Sequence, residues 1–462
     1  MNDAAMSLRS RLSALRENSF VRSASVLVGG TAAAQALTVL ALPILTRLYS
    51  PEEFSLLAVY VAILTMVQVV ACLRLEIAIP LPEDDAEAAN LLALGLMLAT
   101  SAAVIMALSV LGFGDAFFAA IGQPGMQPYG WLLPFGLWLA GSYAALQFWS
   151  TRKKRFATIA RTRMVQAGSG LTAQLGLGWV GAGPVGLLLG HALMAGAGVV
   201  NLARQAWRSD RRALTGVTRQ GMCRALSVYR RFPLYSTWEA LANNAAIQVP
   251  VLIIAALALG PEAGFILLAT RAMGTPVTLI GGAVAQVYLS RAPDEMRAGR
   301  LPEFTAEVLR GLARVGIAPL VFIGVVAPPV FALVFGEEWQ RAGELVTWMT
   351  PWFVLKLLSS PVSMVMHVKM MQRAMLGLMV TGLIVRIAIV LIAYLVDPRY
   401  IAEGYAVSGA AFYLAALGVY LAASGAGWRE TRPLFAAGSL AIVIAVGAGL
   451  TFNLLMRILE HP

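Results

Sequence analysis

Three basic side chains stand well inside long apolar runs: Arg271 in 262–289, Lys356 in 342–366 and Arg386 in 371–396. A charge at mid-depth in hydrocarbon costs at least about 2.5 to 3.5 kcal/mol, so such a group faces protein or a watery cavity. Snorkelling would carry these charges across half a membrane, which favours a cavity. Against them stands one strong acid away from the run ends, Glu239 in 232–259. The surplus suits an anionic passenger, and the planar fork of arginine matches the oxygens of a phosphate.

Two polar stripes accompany the charges. Tyr235, Glu239 and Asn243 follow an i, i+4, i+8 spacing on one helix face, and Arg163, Gln166, Ser169 and Gln174 trace another. The expected site is a water-accessible cavity between two halves of the chain, shared by Arg271, Lys356 and Arg386. Tyr235, Asn243 and Arg163 are candidates for its wall, with Glu239 for coupling to a proton or ion. The competing reading is that these groups are buried pairs holding helices together, or, for Arg163, a side chain snorkelling from a helix end. Arg74 and Glu76, near the end of a run, read as structural or interfacial.

Motifs for soluble chemistry are missing from the sequence. There is no phosphate-cradling GxxxxGK[ST] loop, and His191, His367 and His461 show no metal-ligand spacing. No metal or cofactor is expected. Cys72 lies in an apolar run and Cys223 in a basic loop, which does not make a disulfide framework. Gly29 and Gly30 offer close helix packing. Trp131, Trp149 and Trp339, near run ends, read as an interfacial aromatic belt.

The elements that must position these residues are membrane-spanning helices. The chain has 462 residues, 59% of them apolar and 13% charged, a mean hydropathy of +0.74 and a net charge of +11. Its apolar residues fall into blocks long enough to cross roughly 30 Å of hydrocarbon, without the alternation of a β-barrel. Blocks fall near 22–47, 53–79, 87–112, 129–150, 157–180, 183–205, 232–259, 262–289, 304–335, 342–366, 371–396, 402–424 and 433–456. Basic residues gather in alternate connections, at Arg9 to Arg22, Arg152 to Arg155, Arg204 to Arg231, Arg291 to Arg300, Lys369 to Arg373 and Arg429 to Arg432. The positive-inside rule puts these and the N-terminus in the cytoplasm, and explains the charge better than nucleic acid does.

The expected fold is therefore an all-α polytopic membrane protein, a six-helix bundle at 22–205 and another at 232–424. A basic cytoplasmic segment 1–21 precedes them, a basic linker 206–231 joins them, and an extra helix lies at 433–456. Six spans per half give parallel repeats about an axis along the membrane normal. LPIL at 42–45 and SPEEFSLLA at 50–58 recur as VPVL at 249–252 and GPEAGFILLA at 260–269. Pro43, Pro250 and Pro276 are the expected bends or breaks.

The run from Leu27 to Leu92, with LTRLYSPEEF and LRLEIAIPLP, resembles the opening of Wzx-type polysaccharide flippases of the multidrug, oligosaccharidyl-lipid and polysaccharide exporter superfamily. The resemblance continues through VFGEEWQRAGELV at 333–346 and SSPVSMV at 359–365. It implies two six-helix bundles around a central cavity. It also implies movement of undecaprenyl-diphosphate-linked oligosaccharides to the periplasmic leaflet of the bacterial inner membrane. The implied partners are that substrate, membrane lipids, a polysaccharide polymerase and glycosyltransferases. A multidrug antiporter of the same superfamily would show a more acidic or aromatic cavity. A membrane polymerase or glycosyltransferase would need a large external loop or a carboxylate-rich cytoplasmic site.

Overall fold

A computed structural model describes residues 19–427, 432, 439 and 442–454. The described chain is helical, as it must be where hydrocarbon offers no partner for backbone N–H and C=O groups. The helices are α1 (Ser19–Leu40), α2 (Leu42–Leu48), α3 (Pro51–Ala71), α4 (Asp85–Ala120), α5 (Leu132–Arg152) and α6 (Phe156–Trp179). There follow α7 (Pro184–Gly196), α8 (Val199–Ser209), α9 (Arg211–Thr215), α10 (Arg219–Val228), α11 (Thr237–Leu257) and α12 (Glu262–Arg297). The rest are α13 (Leu301–Phe335), α14 (Gln340–Val362), α15 (Met364–Val368), α16 (Gln372–Val396) and α17 (Ile401–Ser424).

Among the described residues, 9 helical segments are long and apolar enough to cross a membrane. This is a multi-pass membrane protein. The predicted blocks 129–150, 157–180 and 342–366 are also helices, α5, α6 and α14, but they fall below that apolarity. Their polar side chains are spent on neighbouring helices rather than on lipid. Gln166 and Gln174 of α6 donate to the carbonyls of Ala195 and Leu187 at 3.1 and 3.2 Å, tying α6 to α7. The 36 residues of α4 span about 54 Å, so this helix overruns the hydrocarbon. The predicted segment 1–21 lies almost wholly outside the described residues, as does part of 433–456. Within the latter, Ile442–Leu454 is helical, and the Asn453 amide donates to the Val325 carbonyl at 3.0 Å.

Among the described residues the chain packs as two compact units, those within 1–41, 63–118 and 124–241, and those within 42–62, 119–123 and 242–462. This differs from halves cut at 205 and 232, because α2 and the start of α3 pack with the second unit. The cause is side-chain chemistry: Arg47 donates to the Leu333 carbonyl at 3.0 Å, and the Trp339 indole donates to the Thr46 carbonyl at 3.1 Å. Phe54 and Phe265 meet the Trp339 ring edge-on at 4.8 and 5.9 Å. Trp339 and Trp149 are fully buried, so neither joins an aromatic belt, whereas Trp131 is exposed. Both buried indoles have an oxygen to bond, which lets them enter a core.

In the first unit Trp149 does this through Asp210, to which its indole donates at 2.9 Å. Arg155 grips the same carboxylate with two bonds of 2.7 and 2.8 Å. Arg152 and Lys153 both engage Asp85 at the start of α4, and Arg152 also donates to the carbonyls of Pro82 and Glu83. Arg152, Lys153 and Arg155 of this basic run thus staple three connections together. In the second unit Arg341 of α14 pairs with Glu262 of α12 at 3.1 Å, Glu403 of α17 at 2.7 Å and Glu344 at 3.3 Å. Glu262 and Glu403 sit in first helical turns, where the helix dipole favours a carboxylate.

Candidate functional site

Arg386 is the deep cation whose surroundings the second unit builds most elaborately. It sits on α16 and is 3% exposed. Phe412 and Tyr413 of α17 and Trp352 of α14 surround the guanidinium, with ring centroids at 4.7, 5.8 and 5.4 Å. Close helix approach makes this possible. A Cβ on Gly409 would lie 2.4 Å from the Trp352 ring, and one on Gly382 would lie 2.4 Å from the Phe412 ring. Those two positions admit no larger residue while the rings stay in place. Cation–π contacts of this desolvated kind contribute about 2 kcal/mol.

The aromatic mount leaves the guanidinium facing a cavity of about 150 Å³. Its polar lining includes Asn243, Ser359, Ser360, Ser363, Arg386 and Tyr413, and no carboxylate is among the lining residues. No ion pair engages Arg386 among the described residues, and its Nε has no hydrogen-bond partner. A fixed guanidinium with hydroxyls and an amide beside it can receive an anion the size of one phosphate group. Lys356, one helical turn before Ser360 on α14, is close enough to repel Arg386 electrostatically.

The predicted residues are not all brought together. Asn243 and Arg386 line one cavity, but Arg271 and Lys356 are not part of its wall, so the three cations do not share this space. Arg271 is half-buried on α12. That helix runs unbroken through Thr275 and Pro276, so the expected interruption is absent; the Thr275 hydroxyl donates to the Arg271 carbonyl at 2.9 Å. Likewise α11 runs through Pro250, while Pro43 lies at the start of α2, just past the end of α1. Tyr235 is 71% exposed in a five-residue π-helical turn that precedes α11, and Glu239 is exposed on the first turn of that helix. Arg163 belongs to the first unit, where Gln147 and Gln166 accept its hydrogen bonds at 2.9 and 3.4 Å and the Tyr143 ring lies 5.2 Å away. Each partner is polar or aromatic, which holds this cation inside its own bundle.

The aromatic mount was missed because its rings are scattered over two helices with no local pattern. Ser359, Ser360 and Ser363 had a signal, a hydroxyl cluster in the middle of an apolar run, which is unusual unless it lines something polar.

The profile of the polysaccharide biosynthesis protein family matches residues 44–344. The chain belongs to that family. No curated protein matches it in sequence. Among solved structures, this polysaccharide biosynthesis protein is similar to the lipid II flippase MurJ in an inward closed conformation. That likeness has 12% identity and a TM-score of 0.65, covering 93% of this chain and 99% of the other. It is also similar to an inward-facing MATE multidrug resistance transporter of the MOP superfamily, at 16% identity and TM-score 0.62, covering 85% and 95%. A third likeness is to a MOP superfamily transporter from Pyrococcus furiosus with a binding pocket of reverse polarity, at 14% identity and TM-score 0.52, covering 90% and 95%. At these identities the likeness is one of fold, which both flippases and drug exporters use.

Proposed function

We propose that the protein is a flippase for undecaprenyl-diphosphate-linked oligosaccharide repeat units, carrying them from the cytoplasmic to the periplasmic leaflet of a bacterial inner membrane. The observation that supports this reading over drug export is the charge at the Arg386 cavity, and not its aromatic rings, which a drug exporter would share: a buried cation with hydroxyls around it and no carboxylate in its wall. A cationic drug would meet repulsion there, whereas a diphosphate would find its charge offset as it leaves water. The membership in a polysaccharide biosynthesis family supports a sugar-bearing passenger. The lipid tail stays in the bilayer while the headgroup crosses by alternating access. Arg271 and Lys356 would add positive potential elsewhere along that route, and Glu239 is the candidate for coupling. A proton or ion drives the cycle only by binding the two states unequally. The N-terminus and linker 206–231 would face the cytoplasm, where the polymerase's substrate is assembled by glycosyltransferases.

The deciding experiment reconstitutes the purified protein in vesicles with a fluorescent polyprenyl-diphosphate-linked sugar and follows its exposure to an impermeant quencher. The wild type should equilibrate the label between leaflets and Arg386→Ala should not. Equal rates in wild-type and empty vesicles, or export of a cationic dye in place of the lipid, would remove the reading.

A further inference from the structure

The linker after α8 carries cations that the staple around Asp210 does not use. Arg152, Lys153 and Arg155 are committed to Asp85 and Asp210. Arg208, Arg211 and Arg212 are exposed and enter no ion pair among the described residues. They line an open basin of about 690 Å³, with Lys153, Asp85 and Asp210 forming its other side. The two carboxylates are already balanced by the staple, so the basin presents net positive charge.

Its setting points to the membrane surface. Helix α8 continues the apolar segment Pro184–Ser209, so the basin lies where that segment leaves the apolar layer. Leu202 and Ala206 of α8 are buried against the unit, while Arg204, Trp207 and Arg208 face outward. Trp207 is 54% exposed, and the Arg211 guanidinium lies 5.8 Å from its ring. An outward tryptophan beside arginines, at the end of a span, fits the headgroup region of a bilayer. A soluble acidic partner would explain the arginines but leave the tryptophan without cause.

We propose that this basin binds the phosphate headgroup of a lipid, with Trp207 seated at the headgroup boundary beside it. The phosphate accepts charge-assisted hydrogen bonds from Arg208, Arg211 and Arg212. Ordinary anionic phospholipid and a polyprenyl diphosphate both offer that chemistry, and the test separates them.

The full-length protein in detergent is titrated with phosphatidylglycerol, phosphatidylcholine or farnesyl diphosphate, and bound lipid is counted by native mass spectrometry. The variant Arg208→Gln/Arg211→Gln/Arg212→Gln is compared with Arg219→Gln/Arg224→Gln/Arg230→Gln, which removes the same charge from the same linker outside the basin. All replaced groups are exposed, and matched melting temperatures would establish that both variants fold. The basin variant should lose phosphatidylglycerol affinity by about fivefold per guanidinium removed. The control variant and the phosphatidylcholine titration should hardly change. Loss confined to farnesyl diphosphate would keep the phosphate site and make the polyprenyl lipid its source. Equal losses in both variants would reduce the basin to diffuse surface charge and overturn the proposal, as would unchanged binding of both anions.

Discussion

Trp339 donates its indole N–H to the backbone carbonyl of Thr46 at 3.1 Å, although 293 residues separate them along the chain. The same ring meets Phe54 and Phe265 edge-on, so segments 42–58, 260–269 and 333–346 converge on one buried indole. Trp339→Ala should cost about 3 to 5 kcal/mol, the range for truncating a buried aromatic. Trp339→Phe keeps most of the packing but orphans the Thr46 carbonyl, at about 1 to 3 kcal/mol. Thermal unfolding in detergent would rank them; a Trp339→Phe variant that melts with the parent would mean that the hydrogen bond contributes nothing.

Arg341 is the hub through which the starts of α12, α14 and α17 are joined. Arg341→Met leaves Glu262 and Glu403 buried without a counter-charge and should cost about 3 to 5 kcal/mol. The triple change Arg341→Met/Glu262→Gln/Glu403→Gln should recover most of that loss. No recovery would place the destabilisation in lost packing instead.

Asp210 anchors the linker to the end of α5 through Arg155 and Trp149. Asp210→Asn should cost about 2 kcal/mol, less than a fully buried pair because Arg155 and Lys153 keep contact with water. Limited proteolysis should then cut within 206–231 faster than in the parent. Unchanged cleavage would show that other contacts, such as the Thr218 N–H to Asn90 Oδ1 bond at 3.0 Å, fix the linker.

Glu76 lies beyond the end of α3 in a short 3-10 turn, buried, with Oε2 unpartnered. Burial pushes its carboxyl above the usual carboxylate range, against smaller opposing effects of a backbone hydrogen bond and Arg74. A proton held more tightly in the folded state favours folding at low pH, and that advantage is lost as pH rises through the raised value. Glu76→Gln is neutral throughout, so it should melt above the parent near about pH 7.5 and match it near about pH 4. A gap that ignores pH would refute the assignment.

Cys223 is exposed on α10, while Cys72 is buried, so the chain carries its own topology probe. An impermeant thiol reagent should label Cys223 in inverted vesicles and not in intact spheroplasts. In a Cys223→Ser background, cysteines placed at Pro124 or Glu338 should show the reverse. Labelling of Cys223 from outside would invert the orientation.

What the sequence revealed depended on the range of each signal. Twelve apolar blocks became helices because hydrophobicity over twenty residues is a local property and hydrocarbon permits little else. The depth of Arg386 was equally plain, since its neighbours in sequence are apolar. Its mount was not, because Trp352 and Phe412 approach only after Gly409 and Gly382 let three helices close. The buried Trp339 was misread as interfacial for a related reason: its partner Thr46 lies far away in sequence. Arg163 bonds Gln147 and Gln166, and Gln174 bonds the Leu187 carbonyl; a polar stripe does not disclose in advance whether water or another helix will face it.

The indole contact also says how this sequence can be recombined. The stretch that matches the family, 44–344, starts two residues before Thr46 and ends five after Trp339. Its two ends are therefore fastened to each other by the Trp339 indole and the Arg47 guanidinium. A chimera that exchanges this stretch as a block carries both halves of the fastening with it. A crossover anywhere between 46 and 339 pairs one parent's indole with the other parent's backbone and aromatic rings, so viable hybrids should cluster at crossovers outside that interval.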